Sequence, residues 1–140
     1  MHQDIVSALK SGRALTIAHR GARSLAPETT IAAAKRALAA GADLWEFDVR
    51  VTLDGEPVLI HDMTLKRTTD VCLKFPERYP WYVHDFTLAE LRSLDFGSWF
   101  AEADPFGQVL AEAVSQDDLA LFRKEPVPTL EEAVLFTLQN

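Results

Sequence analysis

The stretch Leu44-Trp45-Glu46-Phe47-Asp48-Val49-Arg50-Val51 constrains the fold more than any other part of the chain, because apolar residues at 45, 47, 49 and 51 alternate with charged ones at 46, 48 and 50. Period two marks a β-strand, whose successive side chains point to opposite faces. Glu46 and Asp48 are therefore expected on one face, roughly 7 Å apart. Two carboxylates so placed either face water or share a cation.

The preceding residues bear on that choice. Ala14-Leu15-Thr16-Ile17-Ala18 is a short apolar run with β-branched members, and it reads as a buried strand ending at His19. Pro27-Glu28-Thr29-Thr30 then opens an alanine-rich helix, Ile31 to Ala40, with a proline near its first turn, an early acid and Gly41 as its stop. Strand, loop, helix, strand is a parallel βαβ unit, whose strands are covered by helices, and covered carboxylates need a partner. A right-handed crossover places His19 and Glu46 at the same C-terminal edge, where barrels and open α/β sheets build their sites.

Asp54-Gly55 is a hairpin signal, and Pro57-Val58-Leu59-Ile60 is the return strand. Its end delivers His61, with Asp62 placed to orient the ring or cap the following turn. Two strand-end histidines suit a base and an acid. Arg20 and a carboxylate-bound cation would neutralise phosphoryl oxygens, which is the set of parts that phosphodiester hydrolysis needs. His84-Asp85 repeats the dipeptide but precedes Thr87-Leu88-Ala89-Glu90, a capping box, and reads as structural. His2 carries no signal.

Net charge is −7, which argues against nucleic acid as a partner and gives no general attraction to an anionic membrane surface. A single cysteine, Cys72, excludes an intramolecular disulfide, and the start Met1-His2-Gln3-Asp4-Ile5 lacks the basic region and apolar core of a secretory signal. No apolar run approaches the roughly 18 residues of a membrane helix. These properties predict a cytoplasmic protein without an integral membrane segment. Residues 71–126 hold most of the aromatic side chains, among them Phe75, Tyr79, Trp81, Tyr82, Trp99, Phe100 and Phe106, and interrupt the βα alternation. They read as an inserted subdomain whose aromatics fill its core, with Glu102 to Asp118 as a solvated loop and helix.

Taken in order, His19-Arg20-Gly21, Ala26-Pro27-Glu28-Thr29-Thr30, Glu46-Phe47-Asp48, Thr52-Leu53-Asp54-Gly55, Val58 to Asp62 and Leu65-Lys66-Arg67-Thr68-Thr69 resemble the N-terminal motifs of glycerophosphodiester phosphodiesterases. Leu94-Asp95-Phe96-Gly97-Ser98-Trp99-Phe100 and Val127-Pro128-Thr129-Leu130-Glu131-Glu132 continue the likeness. The resemblance implies an α/β chain forming an incomplete phospholipase C-like TIM barrel: the first βα units over residues 1–140, with 71–126 inserted as a cap that contacts the substrate's alcohol group. The implied reaction is metal-dependent hydrolysis of small glycerophosphodiesters to glycerol 3-phosphate and an alcohol. His19 and His61 would be the acid/base pair, Arg20 would bind phosphate, Glu46 and Asp48 would hold Mg²⁺ or Ca²⁺, and Glu28 and Asp62 would orient the others. Thr29 stands where the family usually has asparagine.

A barrel takes about 250 residues, whereas this chain has 140. The family's third acidic ligand and its lysine would fall beyond Asn140. The resemblance thus implies the N-terminal part of an enzyme, inactive on its own; the alternative is a non-catalytic phosphodiester-binding or interaction module.

Overall fold

The computed structural model describes residues 2–140. Met1 and the side chains of His2 to Ile5 lie outside the described residues, and so do the expectations placed on them. After α1 (His2–Lys10) the chain enters β1 (Ile17–Ala18), crosses through α2 (Ile31–Ala39) and returns as β2 (Leu44–Trp45). β1 and β2 pair in parallel, Ile17 opposite Leu44 and Ala18 opposite Trp45, as the strand–helix–strand pattern predicts. Arg13 and Asp43 clamp the entry to this pair: their side chains meet at 2.5 Å, and the Thr16 N–H donates to Asp43 at 2.9 Å.

The expected strand over 44–51 is broken. β2 ends at Trp45, and β3 (Val49–Val51) runs antiparallel to β4 (Pro57–Leu59), with Thr52 to Gly55 turning between them. Residues 46–48 are the junction. The Glu46 N–H donates to Ala18 O at 2.9 Å, still on the β1 side, whereas the Asp48 carbonyl accepts from Ile60 N–H at 3.1 Å, already on the hairpin side. A strand serving two different neighbours cannot keep one straight ladder, which is why perfect alternation in sequence does not yield one continuous element.

Helix α2 starts at Ile31, as the sequence pattern predicts. Thr30 is its N-cap, accepting from the Ala33 N–H, so Pro27 and Glu28 precede the helix and Glu28 is free to serve the site. The apolar run 14–18 is not buried, since Ile17 is 58% exposed. β1 has β2 as its only strand neighbour among the described residues, and Ile17, paired with Leu44, is left largely open. Val49 and Val51 are likewise open, at 41% and 53%.

Two apolar cores hold the rest. One joins Val58 and Ile60 to Leu65, Phe86, Leu91 and Val127; the other joins Ala26 and Ala33 of the α2 region to Phe100, Leu119 and Phe122. The short helices α3 (Val71–Lys74), α4 (Leu88–Arg92), α5 (Ser98–Ala103) and α6 (Gln116–Phe122) supply some of these side chains, Leu91, Phe100, Leu119 and Phe122 among them, and strands and connecting segments supply the rest. α4 opens with the Thr87/Glu90 capping box read from the sequence. His84 beside it is two-thirds exposed, stacked on Tyr82, and stays structural. Gly97 lets α5 approach α6, as a Cβ there would lie 1.8 Å from the Phe122 carbonyl oxygen. Finally, the Leu59 N–H donates to Pro128 O, laying the segment before α7 (Leu130–Gln139) along the free side of β4. No helix among the described residues is long and apolar enough to cross a membrane.

Candidate active site

The junction at 46–48 explains how the charged residues gather. Glu46 is tied to the strand that ends at His19, and Asp48 to the strand that ends at His61. Beyond β1 the chain turns sharply through Arg20 and Gly21, both with left-handed backbone, φ 57° and 74°. That turn aims the Arg20 backbone N–H at Glu46 Oε2, 3.0 Å away, and leaves His19 Nε2 3.8 Å from the same oxygen. Gly21 is required twice over, by its φ and by α2, since a Cβ would sit 2.7 Å from Ala33 Cβ and 2.8 Å from its backbone carbon.

The Arg20 guanidinium is nearly buried and lies between carboxylates. Its Nη1 donates to Glu28 Oε1 at 3.1 Å, and its Nε faces Asp48 Oδ2 at 3.7 Å. The Nε and the Oδ2 are both buried without a hydrogen-bond partner. Orphaned groups of this kind are rare enough to require an explanation.

On the other strand end, His61 Nδ1 and Asp62 Oδ1 are 2.6 Å apart. Arg50, the third charged residue of the alternating stretch, donates its Nε and Nη2 to the His61 carbonyl at 3.2 and 2.8 Å. Asp62 is held by Arg67 through both oxygens, Nε to Oδ2 at 2.7 Å and Nη2 to Oδ1 at 2.9 Å. Chiefly this Arg67 hydrogen bonding holds the Asp62 carboxyl at a pKa of about 2 against the opposing effect of burial, with His61 assisting. Arg67 Nη2 also reaches Glu28 Oε1 at 2.6 Å. Burial alone would push Glu28 up; Arg67 and Arg20 together bring it below the usual carboxylate range.

The seven residues singled out in the sequence thus form one connected cluster. Sequence reasoning missed two members, Arg50 and Arg67. Arg50 continues the parity of 46 and 48, and Arg67 lies inside the Leu65 to Thr69 motif, so each had a signal that was not turned into a role. Glu28, His61 and Asp62 offer ligand atoms within 4.8 Å of one another, but the two carboxylates already grip guanidinium groups.

A mixed α/β chain thus presents two histidines, one beyond β1 and one beyond β4, linked through carboxylates and a nearly buried arginine, a set of groups able to hold an anion and to move protons. The profile of the glycerophosphoryl diester phosphodiesterase family matches residues 19–140, and the chain belongs to that family. It is 42% identical over 116 residues to a glycerophosphoinositol inositolphosphodiesterase of Mus musculus, covering 83% of this chain and 21% of that protein. With a glycerophosphodiester phosphodiesterase of Bacillus subtilis it shares 39% identity over 126 residues, 90% of this chain and 37% of the other. Among solved structures it is similar to a phosphodiesterase of Oleispira antarctica in complex with the product sn-glycerol-3-phosphate, at TM-score 0.68 and 33% identity, covering 93% of this chain and 42% of that one. The glycerophosphodiester phosphodiesterase of Agrobacterium tumefaciens gives TM-score 0.64 at 35% identity over 89% of this chain and 42% of that one. The chain therefore spans between about a fifth and two fifths of the length of these relatives.

Proposed function

We propose that the protein containing this chain hydrolyses glycerophosphodiesters to glycerol 3-phosphate and an alcohol, with a divalent cation, Mg²⁺ or Ca²⁺, at Glu46 and Asp48. The observation that carries this reading is Glu46 Oε2, which lies 3.8 Å from His19 Nε2 and 3.0 Å from the Arg20 backbone N–H, so the proton-transfer candidate and the main chain of the phosphate-binding arginine meet at one carboxylate. Membership of the family and likeness to a phosphodiesterase holding sn-glycerol-3-phosphate support the same choice of substrate class. The fold would be the first βα units of a phospholipase C-like TIM barrel, with 71–126 as an inserted cap over its mouth.

Asp48 supports the choice of metal ligands. Its buried Oδ2 has no hydrogen-bond partner, an arrangement that suits an oxygen ligand awaiting a hard cation. Glu28 and Asp62 are engaged by arginines and belong to the supporting shell instead. When bound, such a cation polarises the phosphoryl oxygens and spreads the charge of the transition state. Arg20, held by Glu28 and facing Asp48, adds fixed positive charge beside the phosphate. His61, with Nδ1 on Asp62, has Nε2 left for proton transfer; His19, beside Glu46, serves as the second proton-transfer group on the opposite strand end.

Metal-supplemented hydrolysis of glycerophosphocholine and glycerophosphoinositol by a protein containing residues 1–140 tests the reading. Release of glycerol 3-phosphate that stops on chelation and returns with Mg²⁺ or Ca²⁺ is expected. Binding of these diesters without turnover, by a protein with all barrel strands present, would instead identify a non-catalytic binding module.

A further inference from the structure

We propose that Arg67 is a positioning residue for proton transfer: it fixes the imidazole of His61 in the tautomer that carries its proton on Nδ1 and leaves Nε2 bare, acting through Asp62. This rests on the reading of His61 as a proton-transfer group. His61 and Asp62 are sequence neighbours with side chains 38% and 27% exposed. A pair that open to water is loose on its own, because solvent competes for both partners and each keeps its rotamer freedom.

Arg67 removes that freedom. Its bidentate grip engages both oxygens of Asp62, leaving Oδ1 at 2.6 Å from His61 Nδ1. The arginine is itself held from two further sides. Glu28, whose side chain is only 7% exposed, accepts from Nη2 at 2.6 Å, and the Trp99 ring lies under the guanidinium at 5.7 Å from its centroid. Glu28 Oε1 also accepts from Arg20. A single arginine therefore stands at the branch point of two arms, Asp62–His61 on one side and Glu28–Arg20 on the other.

The consequence is chemical as well as structural. Which imidazole nitrogen carries the proton is set by the hydrogen bond the other end of the ring makes. Asp62 held ionised in this place makes Nδ1 the donor, so Nε2 is left as the acceptor. An arginine that merely joined the loop at 27–30 to the segment at 61–69 would contribute stability and leave the ring's protonation pattern unchanged.

The test is a long-range ¹H–¹⁵N correlation spectrum of the histidine rings in the uniformly labelled 140-residue chain at neutral pH, with His61 assigned from a His61→Asn variant. Native protein is expected to show one His61 tautomer with Nδ1 protonated. Arg67→Gln should shift both nitrogens toward the averaged positions of free imidazole. Asp62→Asn should abolish the native pattern, and the double variant should look no different from Asp62→Asn alone. Arg67→Lys keeps a cation between Glu28 and Asp62, and with it the fold, but cannot grip two oxygens; a weakened tautomer preference is expected there even if Arg67→Gln unfolds. A folded Arg67→Gln or Arg67→Lys protein with the native His61 pattern would overturn the proposal. No turnover enters the readout, so an inactive chain would count against the proposed function and leave this inference standing.

Discussion

Thr29 donates its backbone N–H to the carbonyl of Arg20 at 3.0 Å, and both residues have left-handed backbone, φ 55° and 57°. The two unusual conformations belong together. Arg20 must turn this way to place its N–H on Glu46, and Thr29 must turn to donate its own N–H to the Arg20 carbonyl while Thr30 caps α2. Strain of this kind persists where surrounding structure enforces it, and it gathers at functional sites.

A β-branched residue is poorly suited to positive φ, and asparagine is tolerated there much better. Thr29→Asn is accordingly expected to raise stability by about 1 kcal/mol, visible as a higher urea midpoint at an unchanged slope. An unchanged or lower midpoint would mean that the Thr29 hydroxyl, which donates to Glu28 O at 2.7 Å, outweighs the backbone cost.

Gly21 and Gly55 separate backbone strain from steric contact. Both have positive φ, 74° and 87°, but a Cβ at Gly55 meets nothing within 4 Å, whereas one at Gly21 runs into the Ala33 backbone. Alanine at Gly55 should cost about 1 kcal/mol, the backbone penalty alone. Alanine at Gly21 should cost on the order of 3 kcal/mol or more, since overpacking adds to that penalty. Equal losses in chemical denaturation would contradict the close approach of α2.

Much of this arrangement was legible in the residues. The βα order, the cap at Thr87, the turn at Asp54-Gly55 and the approach of His19 to Glu46 follow from period, punctuation and motif order. What the sequence concealed has physical causes. Alternation at 44–51 specifies faces, not neighbours, so it could not reveal that Glu46 bonds toward β1 and Asp48 toward β4. Apolarity at Ile17, Val49 and Val51 predicts burial only where something packs on them. Arg67 was hidden because an isolated arginine beside lysine and threonines reads as a solvated charge; its role appears only when Glu28, 39 residues away, is seen to share it.

Removing one oxygen charge at a time should reveal the cation site. Glu46→Gln and Asp48→Asn are each expected to weaken Mg²⁺ or Ca²⁺ binding by at least tenfold, about 1.4 kcal/mol, whereas Asp62→Asn and Glu28→Gln should change it far less because arginines already hydrogen-bond to both carboxylates. Calorimetric titration with the two ions checks this. Strong loss on Asp62→Asn with none on Asp48→Asn would relocate the cation to the Glu28, His61 and Asp62 group.

Acid sensitivity should follow Asp62. Its folded pKa of about 2, lowered chiefly by Arg67, lies below the ordinary carboxylate value. The stabilisation is therefore fully present above roughly pH 4 and is lost as pH falls toward 2. Allowing for solvent screening of a partly open pair, it is worth on the order of 1 kcal/mol. Glu28, also lowered, adds a loss of the same sign. Glu125, raised by burial, acts in the opposite direction, gaining stability as it protonates. Urea midpoints measured at descending pH should fall less steeply in Asp62→Asn than in the native protein. Parallel profiles would show that the Arg67–Asp62 pair contributes nothing.

The 140 residues by themselves are expected to turn over glycerophosphodiesters poorly and to self-associate. Ile17, Val49 and Val51 are exposed apolar side chains on two-stranded sheets whose edges are open among the described residues, the arrangement that recruits another chain. Two carboxylates give a hard cation few fixed ligands, and His19 at 55% side-chain exposure is not held as tightly as proton transfer requires. Light scattering should show oligomers that Ile17→Lys with Val51→Lys disperses, and the dispersed chain should release little glycerol 3-phosphate from glycerophosphocholine with either ion supplied. Turnover near 1 s⁻¹, within the ordinary enzyme range, by a monodisperse monomer would show that the cluster at His19, Glu46 and His61 is already sufficient. His19→Ala and His61→Ala in that active protein would then each be expected to cost roughly 10² to 10⁴ in kcat.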